Sequence, residues 1–114
     1  MAIVIYHNPR CSKSRQTLAL LRERNLSPEI IEYLQTPPTA EELDRILQML
    51  DMEPEALMRR GEDAYREHFK DRNLSRQQAI TLMVQNPIVI ERPIVVHGDK
   101  AAIGRPPENV LAIL

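Results

Sequence analysis

The chain has 114 residues, of which 43% are hydrophobic, enough for one core in a single domain spanning 1–114. A formal net charge of −1 leaves no global basic field for nucleic acid, and the lack of Trp argues against base-stacking platforms. One cysteine cannot close an internal disulfide, no signal pattern precedes the first apolar run, and no run approaches the ~20 residues of a membrane span. A soluble cytoplasmic protein without nucleic-acid or membrane partners is expected, and a monomer.

Ala2 to Tyr6 reads as a short buried strand, β-branched and bounded by Asn8-Pro9. A helix follows to about Asn25, capped by Ser12 or Ser14, with Leu18, Ala19, Leu20 and Leu21 for its apolar face. Ser27-Pro28 breaks the chain, and Glu29 to Leu34 is a second strand candidate. This run, of roughly thirty residues, has the length of a βαβ unit. Pro37-Pro38 ends it.

Thr39-Ala40-Glu41-Glu42 is a capping box, after which Leu43, Ile46, Leu47 and Leu50 fall at helical spacing. Pro54 opens a short helix through Leu57 and Met58 to Arg59. The charged stretch Gly61 to Lys70 reads as a solvated helix or loop. Ser75-Arg76-Gln77-Gln78 is a second capping box, and its helix should stop near Asn86 because Pro87 disfavours helix just before it. Residues 38–86 thus read as a helical insertion.

Pro93 to Val96 is again strand-like, Gly98-Asp99 suits a hairpin turn, and Lys100 to Ile103 can return antiparallel. Pro106-Pro107 starts a final helix with Val110, Leu111 and Leu114 as its apolar face. The order β-α-β, helices, β-β-α is that of an α/β, thioredoxin-like domain with an insertion. Lengths and patterns alone leave the strand order open.

Cys11 stands where the first strand turns into a helix, among Arg10, Lys13 and Arg15. A helix N-terminus offers unpaired N–H groups and partial positive charge. Both favour the thiolate, which is the reactive form, and the same terminus binds oxyanions. A lone cysteine is more often a small buried hydrophobe, but a cationic, polar flank does not describe a core slot. A nucleophile and an anion seat in one loop point to attack on an oxyanion or on a disulfide.

Arg59, Arg60, Arg92 and Arg105 are candidate anion ligands, since arginine's donor fork fits a tetrahedral oxyanion. Arg92 precedes Pro93 and an apolar strand, and Arg105 lies between Gly104 and Pro106. His7 is either a base for the thiol or a histidine that holds the loop by hydrogen bonds. His68 and His97 look solvent-facing. No zinc-ligand spacing or Gly-rich phosphate loop is present. Ser14 stands where a C-x-x-C motif would place its second thiol, so any redox cycle needs an outside thiol. Thr17 stands where the cysteine phosphatases carry arginine, which weakens phosphatase chemistry. Pattern alone gives no support for a cis Arg92-Pro93 bond.

The segment His7-Asn8-Pro9-Arg10-Cys11-Ser12-Lys13-Ser14-Arg15 resembles the active-site loop of the glutaredoxin-coupled arsenate reductases, the ArsC family. The likeness continues through Tyr33-Leu34 with Pro37-Pro38, Ala56-Leu57-Met58-Arg59-Arg60, Asn86-Pro87-Ile88, Arg92-Pro93-Ile94-Val95-Val96 and Gly104-Arg105-Pro106-Pro107. Arg10 and Ser12-Lys13 match a shorter subgroup of that family.

The resemblance implies a thioredoxin-like fold, Cys11 as nucleophile, and Arg59, Arg92 and Arg105 as oxyanion ligands. It casts His7, Asn8, Ser14 and Arg15 as supporting residues and Pro93 as a cis-proline. It implies reduction of arsenate to arsenite with glutathione as co-substrate, glutaredoxin as partner and no bound cofactor or metal. Two alternatives share the fold: an Spx-like regulator that senses oxidants, and a glutathione-linked thiol transferase with another substrate.

Overall fold

A computed structural model describes residues 2–114. The described residues pack as two units, one of residues 2–36 and 92–114, the other of residues 37–91. Among the described residues no helix is long and apolar enough to cross a membrane.

The first unit is an α/β sheet of thioredoxin-like order. Its strands are β1 (Ile3–His7), β2 (Glu29–Glu32), β3 (Ile94–His97) and β4 (Lys100–Ile103), arranged β2-β1-β3-β4. β1 runs parallel to β2 and antiparallel to β3, and β3 pairs antiparallel with β4. Ile5 lies opposite Val95 in the β1–β3 register. On that face Ile5 and Val95 meet Leu18 and Leu21 of α1 (Ser12–Glu23) and Val110. Tyr6 and Ile94, pointing to the other face, are buried too. This is why the central strands read as apolar runs rather than as an alternation.

α1 ends earlier than expected. Asn25 takes a left-handed φ of 61°, its N–H bonds Arg22 O at 3.0 Å, and Leu26 N–H reaches back to Leu21 O at 3.1 Å. Asn tolerates that conformation, and the two bonds satisfy carbonyls that the helix leaves open. β2 stops at Glu32 rather than Leu34, because a turn begins there: Gln35 and Thr36 both donate to Glu32 O. β3 starts at Ile94 instead of Pro93 and reaches His97. His97 is not simply solvent-facing, since its Nδ1 lies 2.6 Å from Ile113 O. The final element, Pro107–Ile113, is a 3-10 helix. Val110 is fully buried as expected, but Leu114 is exposed.

The second unit holds α2 (Ala40–Leu50), α3 (Asp63–His68) and α4 (Arg76–Gln85), with 3-10 turns at Pro54–Leu57 and Pro87–Val89. Both capping boxes form. Thr39 Oγ1 accepts from Glu42 N–H while Glu42 Oε1 accepts from Thr39 N–H, and Ser75 and Gln78 repeat the exchange. Each cap contributes about 1 kcal/mol. Leu43, Ile46, Leu47, Leu57, Ala79, Ile80, Met83 and Val89 are buried. Arg76 ties α4 to Asp44 of α2 at 2.9 Å.

Candidate active site

β1 delivers His7 to the C-terminal edge of the sheet, and the chain must then turn. Arg10 N–H donates to Asn8 Oδ1 at 3.0 Å, and Cys11 N–H to Asn8 O at 3.0 Å. This side-chain-supported turn is one that asparagine favours. Cys11 is the N-cap residue of α1, in place of the expected Ser12 or Ser14. Its carbonyl accepts the first helical bond, from Arg15 N–H.

Ser14 has a different task. It is fully buried; its Oγ accepts from Asn8 N–H at 3.0 Å and lies 2.7 Å from His7 Nδ1. His7 is therefore bonded to the loop, and among the described residues no hydrogen bond joins it to Cys11. Burial pushes the His7 imidazole below its ordinary value; Glu32 opposes the shift, and Arg22 and Arg15 add to it. A neutral His7 at pH 7 follows. Arg15 also braces the loop, donating from Nη1 to Pro9 O at 2.9 Å.

The half-buried Cys11 thiol lies between two arginines from the far end of the chain. Arg105 Nη2 is 3.4 Å from Sγ, and Arg92 also hydrogen-bonds the sulfur. Arg105 Nε donates to Arg92 O at 2.9 Å, which locks the two together. Each arginine directly precedes a cis-proline, Pro93 and Pro106. Burial acts to raise the Cys11 pKa. The N–H of Ser14, the Arg92 guanidinium and the N–H of Lys13 outweigh it, and the thiol is held below its ordinary value.

A consequence is measurable. Alkylation of Cys11 by iodoacetamide should follow a pH profile with its midpoint below that of a free thiol, about 8.5. A midpoint at or above that value contradicts thiolate stabilisation.

The loop that carries Arg105 is held tightly. Gly104 N–H donates to Pro93 O at 2.9 Å. The buried Thr17 hydroxyl donates to Lys13 O at 2.8 Å and lies 3.4 Å from Gly104 O. A Cβ at Gly104 would collide with Thr17 Oγ1 and stand 2.8 Å from Pro93 Cγ. Neither neighbour is the free end of a flexible chain. Gly104→Ala should lower stability by about 1–3 kcal/mol, read as a lower denaturant midpoint. An unchanged midpoint would show that the loop gives way freely.

Arg59, the remaining expected ligand, belongs to the helical unit. Its Nε bonds Glu62 at 3.2 Å and its Nη1 bonds Glu91 at 2.7 Å. To take an oxyanion it would have to exchange or share carboxylate partners. Arg60 is exposed. The geometry thus gathers Cys11, Arg92 and Arg105 at one point, with His7, Asn8, Ser14 and Arg15 behind the loop. Sequence reasoning missed Thr17 and Gly104, although a glycine immediately before Arg105 was a cue to close backbone approach.

Two guanidinium groups stand beside the sulfur of Cys11. The arrangement can hold an oxyanion next to a sulfur nucleophile and stabilise charge on its oxygens.

Comparison with known proteins gives a consistent picture. Residues 6–113 match the ArsC family model. The arsenate reductase of Haemophilus influenzae is 43% identical over 116 residues, covering 100% of both chains. YfgD, an uncharacterized protein of Escherichia coli (strain K12), is 52% identical over 98% of this chain and 96% of its own length. The solved arsenate reductase from Vibrio cholerae is 50% identical and superposes with a TM-score of 0.95, covering 100% of this chain and 98% of that one.

Proposed function

This chain belongs to the ArsC family, and we propose that it reduces arsenate to arsenite, with Cys11 as nucleophile and glutathione and glutaredoxin as electron source. One observation carries the reading: Arg92 and Arg105 both bond the sulfur of a cysteine whose pKa is lowered. The names of its relatives, arsenate reductases at 43% identity and above 40% elsewhere, support the same substrate.

The thiolate attacks arsenic(V): an S–As bond forms and an As–O bond breaks, the oxygen leaving as hydroxide or water. Arg92 and Arg105 stabilise charge on the remaining oxygens. Glutathione sulfur then displaces a second oxygen. As the two sulfurs join in a mixed disulfide, two electrons pass to arsenic and arsenite leaves. A glutaredoxin thiolate removes the glutathionyl group and restores the Cys11 thiolate. A lone thiol cannot resolve its own mixed disulfide, so an external thiol is required. Ser14 fills the place of a second cysteine, and its hydroxyl is committed to Asn8 and His7.

The test is NADPH oxidation in a mixture of glutathione, glutathione reductase and glutaredoxin, with and without arsenate. Arsenate-dependent oxidation that requires both glutathione and glutaredoxin is expected. Oxidation that ignores arsenate would remove the substrate, and full activity without glutaredoxin would remove the partner.

A further inference from the structure

The anion seat accounts for one side of the Cys11 loop. On the side toward β2 lies a cleft of about 240 Å³, bounded by the loop from His7 to Arg10 and by Glu32, Leu34 and Gln35. It sits at the C-terminal edge of the parallel pair β1–β2, where Glu32 lies opposite His7 in register.

Two features make the cleft more than a surface irregularity. Arg10 and Glu32 give it one positive and one negative charge. Neither side chain forms an ion pair or hydrogen bond with the protein among the described residues. Opposite charges that line one cleft but leave each other unpaired suit a ligand carrying both charges. Gln35 adds an amide donor and acceptor, and Leu34, 37% exposed, adds an apolar wall. The volume is below the ~300 Å³ at which sites for whole drug-sized ligands begin, so it suits an amino-acid-sized head group.

We propose that this cleft seats the γ-glutamyl head of the glutathione co-substrate, with Arg10 binding its α-carboxylate, Glu32 its α-ammonium and Leu34 lying along its methylenes. The idea rests on the reading that Cys11 reacts with glutathione. Arg10 immediately precedes Cys11 in the chain, and in the proposed complex the cysteinyl thiol of the seated ligand reaches from the cleft to the Cys11 sulfur. The seat fixes which thiol enters: one with a free zwitterionic head, not merely any thiol. Arg92 and Arg105 are not among the residues that line the cleft.

The test needs no arsenate. Cys11 is first converted to its mixed disulfide with thionitrobenzoate. A thiolate then attacks Cys11 Sγ, the S–S bond breaks, and coloured thionitrobenzoate leaves with the electron pair. Rates are measured for glutathione, for glutathione lacking its α-amino group, and for 2-mercaptoethanol, in wild type, Glu32→Gln and Arg10→Gln.

The proposal predicts that Glu32→Gln slows glutathione about three- to tenfold, the loss of one charge-assisted contact. The same variant should leave 2-mercaptoethanol unchanged and should not slow the desamino analogue. Arg10→Gln should slow glutathione and its analogue alike, more than 2-mercaptoethanol. The sign for Glu32 is decisive. Glutathione is a net anion, so if Glu32 acts only through the general field, its neutralisation speeds the reaction. A faster or unchanged rate in Glu32→Gln overturns the seat. A chain that fails to reduce arsenate but shows the expected pattern here loses the substrate and keeps the seat.

Discussion

Cys11→Ser is expected to abolish arsenate-dependent NADPH oxidation, a fall of at least about a thousandfold, to the level of the mixture without enzyme. The chain has one cysteine, so no second thiol can take over. Serine keeps the size and the N-cap position but not the chemistry. An alkoxide is not accessible near pH 7, whereas the sulfur here is held toward its anion by the N–H groups of Ser14 and Lys13 and by Arg92. The fold should survive, because serine is a favoured N-cap residue. Far-UV circular dichroism and the unfolding midpoint check this. Residual turnover well above background in a folded Cys11→Ser protein would show that the electrons pass elsewhere.

Arg105→Ala should lower kcat/KM for arsenate by about 10²–10³-fold, the usual cost of losing one preorganised donor to a developing anion. Arg105 reaches Sγ at 3.4 Å and is itself aligned by the 2.9 Å bond from its Nε to Arg92 O. Losing it removes a donor and loosens Arg92's surroundings. Arg92→Ala should do comparable damage and also raise the midpoint of Cys11 alkylation, because Arg92 helps hold the thiol pKa down. Arg105→Lys should recover only part of the rate, since lysine keeps the charge but not the fork. Near-normal kinetics in both alanine variants would place the anion seat elsewhere.

The sheet was legible from Ile3-Val4-Ile5 and Ile94-Val95-Val96, whose β-branched runs have one ready interpretation. The starts of α2 and α4 were legible because a capping box is a local device, read from four consecutive residues. Helix ends were harder. Asn25 at φ 61° is itself the stop signal of α1, but asparagine equally occurs inside helices and loops, so the boundary ran too far. The last element looked helical from Val110 and Leu111, yet it winds as 3-10 and leaves Leu114 out.

At the site, the thiol was visible in its own neighbourhood, among basic residues at a strand–helix junction. Its partners Arg92 and Arg105 stood out as candidate anion ligands by their proline and glycine neighbours and by the family resemblance, but not as contacts of the sulfur. Arg105 lies far from Cys11 in sequence, and nothing local says that its guanidinium returns to the sulfur. Likewise the Thr17–Gly104 approach joins α1 to the loop after β4, a contact that only the packed sheet creates. The cleft between Arg10 and Glu32 depends on the parallel register that sets Glu32 opposite His7.

The central claim, that Cys11 passes electrons to arsenate and ends joined to glutathione, is tested most directly by a single turnover without glutaredoxin. Reduced protein is mixed with arsenate and glutathione, quenched with acid, and analysed by mass spectrometry for the Cys11 peptide and by chromatography for arsenite. The account predicts a glutathionyl group on Cys11 that appears only with arsenate and matches the arsenite formed, mole for mole. Arsenite without the adduct, or the same adduct without arsenate, would contradict it.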